Sequence, residues 1–186
     1  MPPKIKTTKD KIISTALQMV RESGADSINA RDLAAVIGCS TQPIFSNFAS
    51  MTELRLALVE KADELYQQYM QNEIDGGKYP VYKATGMAYI RFAKEEKELF
   101  KLLFMCERTE EQYHKEIRFD DSISRIVESS TGLDNSNAQL FHLEMWAIVH
   151  GIATMFVTGF LDLDWDLVSK MLTDSYMGLR KQYGTE

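Results

Sequence analysis

The sequence predicts an all-α protein: a small head of three short helices, a long helix leading out of it, and a larger helical body. Three observations carry that expectation. Helix-start signatures recur at Thr7-x-x-Asp10, Asn29-x-x-Asp32 and Ser50-x-x-Glu53, each followed by apolar residues at helical spacing. No strand-type alternation, internal repeat or low-complexity tract stands out anywhere along the chain. The 186 residues suffice for a small head and one further helical domain with a core of its own.

The first helix opens at the Thr7 box, carries Ile12, Ile13, Ala16, Leu17 and Val20 on one face, and closes at Gly24. Asn29 accepts from the amides of the turn that follows it and Asp32 reaches back, so a second helix begins at Ala30. Leu33, Ala34, Val36 and Ile37 then recur until Gly38, whose permissive backbone ends the helix after about two turns. Ser40 is a good N-cap for a third helix, and Pro43 is tolerated in a first turn whose amides have no intrahelical acceptor. This helix is expected from about Thr41 to Asn47, the two-helix unit covering about 29 to 48.

The surface of the third helix points to a function. Ile44, Phe45 and Phe48 are expected to anchor one side to a core, whereas Thr41, Gln42, Ser46 and Asn47 are short or amide-bearing. Gln and Asn bond bidentately to adenine in a major groove, and Ser or Thr meet several base edges or phosphates. The bland alternative is a solvated amphipathic helix in an ordinary bundle.

Ser50 and Glu53 open a long helix through Leu54, Leu56, Leu58, Val59, Ala62 and Leu65, which Gly76, Gly77 and Pro80 interrupt. Tyr82, Met87, Ala88, Ile90, Arg91 and Phe92 then mark one helix, and Leu99 to Met105 a short apolar one. A polar helix follows from about Glu110 to Glu128, with Ser129-Ser130-Thr131-Gly132 as the next break. In the segment 138–160, Glu144, His150, Thr154 and Thr158 fall within a sector of about 120°, leaving the rest of the circumference apolar or glycine. Such a helix is buried on more than one side. The last helix, 165–182, brings Leu167, Val168, Met171, Leu172, Tyr176 and Leu179, and the pair predicts a homodimer, the alternative being a central helix of a monomer.

The net charge of −6 argues at first against nucleic acid, but it is unevenly spread. Residues 1–55 hold seven Lys/Arg against five Asp/Glu, a net of +2, which leaves −8 for the rest. No run of 18 uninterrupted apolar residues and no signal core behind the first lysines are present, so a soluble cytoplasmic protein without membrane contact is expected. Cys39 and Cys106 read as free thiols, lacking Cys or His neighbours at metal-ligand spacing.

Ala16, Gly24, Arg31-Asp32-Leu33-Ala34, Gly38-Cys39-Ser40 and Phe45-x-x-Phe48-x-Ser50-x-x-Glu53-Leu54 together resemble the tetracycline-repressor (TetR) family of bacterial regulators, over residues 7 to about 60. The resemblance implies a DNA-binding head (1–55) with residues 41–47 as recognition helix, an effector-binding and dimerisation body (56–186), and a homodimer through about 138–160 and 165–182. It implies a repressor on a palindromic double-stranded DNA operator, released by a small-molecule effector. Arg31, Ser40, Thr41, Gln42, Pro43, Phe45, Ser46 and Asn47 are the DNA-facing residues it points to. Two positions depart from the family: Phe45 stands where Tyr is usual, and Met51 where Lys is usual. One hydroxyl donor and one charge toward phosphates are thus missing, which predicts either weaker binding or a compensating use of Lys4, Lys6, Lys9 and Lys11.

In the body, Trp146-x-x-x-His150-Gly151 is similar to the Trp-His-Gly element of one branch of TetR-type C-terminal domains. Trp146 and His150 are four apart and share a face. Tyr89, Phe92, Phe104, Met105, Met145, Trp146 and His150 are candidates to line an adaptable apolar cavity, with Glu144 and His150 as titratable groups to orient a ligand. Core packing for the apolar residues, and a hydrogen-bonded structural role for His150, are the competing readings.

Enzyme chemistry finds little support. Glu111-x-x-His114 resembles half of a di-iron carboxylate site, but a second such motif is lacking. His142 and His150 are two helical turns apart, too far to share a metal unaided. No phosphate loop, nucleophile elbow or paired-cysteine site is present, and no motif requires a cofactor. A helical interaction module or metal-binding bundle is the alternative to a DNA reader.

Overall fold

A computed structural model describes residues 7–105 and 121–185. Among the described residues there are nine α-helices, one 3-10 turn and no strand, the all-α class the sequence predicts. They are α1 (Lys9–Ser23), the 3-10 turn (Ala25–Ser27), α2 (Ala30–Ile37), α3 (Gln42–Asn47), α4 (Met51–Asp75), α5 (Val81–Glu95), α6 (Lys97–Phe104), α7 (Asp121–Thr131), α8 (Asn135–Thr158) and α9 (Trp165–Gln182). They form two compact units, one from residues up to 67 with 96 to 105, the other from 68 to 95 with 121 onward. Helix α4 contributes its first part to one and its last part to the other.

The first unit is built on apolar residues that the helical period aligns. Ile12, Ala16 and Val20 of α1, Leu33 of α2, Ile44 of α3 and Leu54 of α4 are fully enclosed, together with Ile28 and Phe48. Helix α6 belongs to this unit and packs against α1 and the 3-10 turn, burying Leu99 and Phe100. Arg21 of α1 clamps Glu96 bidentately at 2.8 and 2.9 Å. Tyr66 meets Phe104 edge-on at 5.2 Å.

The helix ends refine the sequence reading. Asn29 Oδ1 accepts from Arg31 and Asp32 amides, while its Nδ2 donates to the Asp32 carboxylate. Asp32 therefore answers the cap through its side chain rather than by reaching the Asn29 amide. Thr8, not Thr7, caps α1, accepting from the Lys11 amide. Glu53 reaches back to the Ala49 amide at 2.6 Å, one residue beyond the expected Ser50, whose hydroxyl accepts from Glu53. Ser40 does not cap α3: Thr41 holds that position in a right-handed helical conformation without a side-chain bond. Gly38 adopts φ 80°, the left-handed conformation in which a side chain would be strained, and its amide closes α2 on Ala34 and Ala35.

In the second unit α8 is central, packed by α5, α7 and α9. Tyr82 pairs with His142, Tyr89 with His150 and Lys94 with Phe156, so partner numbers rise together and α5 runs parallel to α8. Helix α9 returns antiparallel, placing Trp165 on Phe156 and Tyr183 near Phe141. Val127, Ala138, Phe141 and Met145 form a buried cluster under Tyr82, Leu133, Tyr176 and Leu179. One expectation is corrected. Helix α7 runs through Ser129 and Ser130 to Thr131, because those hydroxyls bond backward to Ile126 and Val127 carbonyls, and only Gly132 breaks the chain. The expected polar helix is described only from Asp121; its earlier part, with Glu111 and His114, lies outside the described residues. By length and composition α8 is the one described helix able to cross a membrane, yet it is the core helix of its unit, with Phe141, Met145, Ile152 and Phe156 buried.

Candidate nucleic-acid interface

Helices α2 and α3 meet across a tight turn at residues 38–41, and α3 is seated by Ile44 and Phe48, which are 0% and 1% exposed. The polar period then has to face outward. Thr41, Gln42 and Ser46 are exposed, with Pro43 and Asn47 half-buried at the flanks. Arg31 and Ser40 are exposed as well. Phe45 differs from the expected core anchor: it is 50% exposed, because helical geometry gives the inward positions to Ile44 and Phe48 and turns residue 45 to solvent.

Two of the outward polar groups are already engaged. Ser46 donates to the Gln42 carbonyl at 2.9 Å, and Asn47 donates through Nδ2 to the Pro43 carbonyl at 2.7 Å. That bond uses one of the two Asn47 N–H donors and leaves the second donor and Oδ1. Around α3, Lys9 and Lys11 are exposed cations, and Lys9 lies over the Phe48 ring at 5.0 Å. That contact links the start of α1 to the end of α3 and was illegible in sequence, since nothing local joins residues 9 and 48. Met51, half-buried, opens α4 without a charge.

The body candidates divide into three groups. Tyr89, Trp146 and His150 come together: the Tyr89 hydroxyl lies 2.9 Å from His150 Nδ1, and Trp146 stacks on the imidazole at 4.8 Å and 19°. Phe92 is buried against Tyr69 at 5.3 Å, and Met145 belongs to the Phe141 cluster. Phe104 and Met105 belong to the first unit. A second rung, Tyr82 to His142 Nδ1 at 3.0 Å, repeats the first two turns away. Burial lowers both histidines from their ordinary value, and burial first, then Tyr176, raises Tyr82. Spacings of seven on α5 and eight on α8 were the only sequence signal for these rungs.

Also missed was a cation–aromatic cluster. The Arg91 guanidinium lies 4.6 Å over the Trp165 ring while bonding Glu73 of α4 at 3.1 Å. Lys94 pairs with Asp162 and lies over Phe156. Tyr69 donates to Glu95 at 2.9 Å, so α4 is gripped twice within this unit. Among the described residues no group of three His, Cys, Asp or Glu side chains gathers as a metal site.

Residues 82–175, about half the chain, match the family model described as the tetracyclin repressor-like C-terminal domain. The chain belongs to the TetR family. TetR-family proteins are DNA-binding helix-turn-helix transcriptional regulators rather than enzymes, and that is the class of this chain. Among solved structures, a TetR-like transcriptional regulator from Rhodococcus sp. RHA1 is similar at TM-score 0.69 and 14% identity, covering 95% of this chain and 96% of that one. A protein of unknown function from the same organism gives TM-score 0.73 and 21% identity, covering 98% of each. MexZ, a repressor responsible for antibiotic resistance in Pseudomonas aeruginosa, gives 0.65 and 18%, covering 94% and 96%. At these identities the likeness is one of fold. No protein of curated function matches the chain.

Proposed function

We propose that this TetR-family regulator is a cytoplasmic, ligand-released repressor that binds a palindromic operator as a homodimer. Residues 1–55 serve as the reading head and 56–186 as the effector and dimer body. The observation that carries the reading is α3 itself: Thr41 and Gln42 lie exposed on a helix whose Ile44 and Phe48 are fully enclosed. Arg31, Ser40 and Pro43 flank that surface, with Phe45, Ser46 and Asn47 completing it.

The homodimer is supported by an apolar stripe that α8 and α9 leave uncovered: Leu140, Leu143, Leu167 and Met177 are all more than 40% exposed, and Gly151 and Gly178 have open space where a Cβ would stand. A second copy of the same two helices fits such a stripe. Two recognition helices then enter successive major grooves about 34–36 Å apart. For the effector, Tyr89, Trp146 and His150 are the favoured contacts, because they alone of the seven candidates meet around one polar group. A ligand that prefers the non-binding arrangement by about 1–3 kcal/mol lowers operator affinity roughly 5- to 150-fold.

Retention of the DNA upstream of its own gene tests the reading. Sequence-preferential binding by a species of twice the monomer mass is expected; binding that Gln42→Ala leaves unchanged in sequence preference contradicts it.

A further inference from the structure

We propose that Phe45 is a base-reading residue, placing its ring on the 5-methyl group of a thymine in the major groove beside an adenine held by Gln42. This rests on α3 being the DNA-reading helix. On a helix seated by Ile44 and Phe48, Phe45 is 50% exposed, and among the described residues no ring or cation covers it. It stands three residues after Gln42 and four after Thr41, so the three share one face.

That face is chemically narrow. Ser46 and Asn47 each direct a donor to a carbonyl of their own helix, and no charged residue occurs from 41 to 48. What α3 offers outward is one exposed amide, one hydroxyl and one large apolar ring. A phenyl ring cannot donate to a phosphate, so it contributes nothing to backbone anchoring by hydrogen bonding. The thymine methyl is the apolar group that a major groove displays, and an aromatic side chain is among its partners. Gln42, with both ends of its amide unengaged among the described residues, has the donor and acceptor that adenine N7 and N6 require. Three residues advance a helix by about 4.5 Å, against about 3.4 Å per base-pair step. The thymine therefore belongs to the pair next to the adenine or one beyond it.

The experiment removes the methyl group without touching the protein. Binding sequences are selected from a random duplex pool with the full chain, and each thymidine of the selected site is replaced singly by deoxyuridine. One position per half-site is expected to lose about three- to fivefold in affinity, the size of one buried methyl group. In Phe45→Ala that position becomes insensitive to uracil, whereas Phe45→Leu, which keeps apolar bulk, retains part of the preference. Unchanged melting temperatures confirm that the variants fold, as expected for an exposed side chain. A flat uracil series on an enriched site, or a sensitivity that persists in full in Phe45→Ala, overturns this inference alone. A pool that yields no enriched sequence overturns the reading role of α3 and this inference with it.

Discussion

Asn29 shows how one side chain sets the orientation of a reading motif. Its carbonyl oxygen takes the amides of Arg31 and Asp32 at 3.1 and 3.0 Å, and its NH2 holds the Asp32 carboxylate at 2.6 Å. Asn29→Ala leaves two first-turn amides to water and is expected to cost about 1 kcal/mol, seen as a lower urea midpoint at unchanged slope. The histidines give a second expectation. Burial lowers His142 and His150 below 6.5 in the folded chain, so as pH falls the unfolded chain takes up protons first. Stability is then complete above the unfolded value and declines below it. Urea midpoints measured at about pH 7.5 and about pH 5.5 should drop less in the His142→Gln/His150→Gln variant than in the native chain; equal drops contradict the assignment. Asn29 was legible because its partners are two and three residues away. The Tyr82–His142 and Tyr89–His150 rungs span 60 and 61 residues, and no local pattern encodes such a pairing.

At the scale of the element, α8 has two faces with different occupants. Ala138, Phe141, Met145, Val149, Ile152 and Phe156 are buried within the unit, while Leu140, Leu143 and Ala147 remain exposed along the opposite side. The near-continuous apolar circumference was visible in sequence; its ends were not, since the helix begins at Asn135 and stops at Thr158, where Gly159 caps it in a left-handed conformation at φ 70°. Which apolar residues face inward was not visible, since a helix apolar almost all round carries no amphipathic signal to orient it. The same physics explains Phe45. Adjacent aromatic and aliphatic residues at 44, 45 and 48 fit one face loosely, and only the seating of Ile44 decides that Phe45 turns out. If the exposed side of α8 is the dimer face, Leu143→Glu puts two desolvated charges into a self-complementary interface. Sedimentation at micromolar protein is expected to show monomer, with helix content unchanged because Leu143 is 44% exposed in the subunit. A variant that stays dimeric excludes this face.

For the whole molecule the governing feature is where charge is absent. Residues 1–55 carry a net of +2 and the remainder −8, and α3, the proposed reading helix, carries none. Affinity drawn from phosphates appears as a linear fall of log K with log salt, about 0.9 for each phosphate neutralised. With no charged residue from 41 to 48, this regulator is expected to show a shallow salt slope and to depend on base contacts more than on backbone anchoring. Met51 offers a direct way to test the balance, because it opens α4 beside the reading helix and is only half-buried. In a homodimer, Met51→Lys adds one phosphate-directed cation per half-site, so the slope should steepen by up to about 1.8 and binding should tighten most at low salt. Sequence preference should weaken in the same variant, since non-specific affinity rises with the added charge while the base contacts proposed for Gln42 and Phe45 are untouched by it. Titrations of a selected site and of random duplex across a salt series measure all three quantities together. A steeper slope without loss of preference would mean that residue 51 meets phosphate only in the specific complex; an unchanged slope would place it away from the duplex altogether.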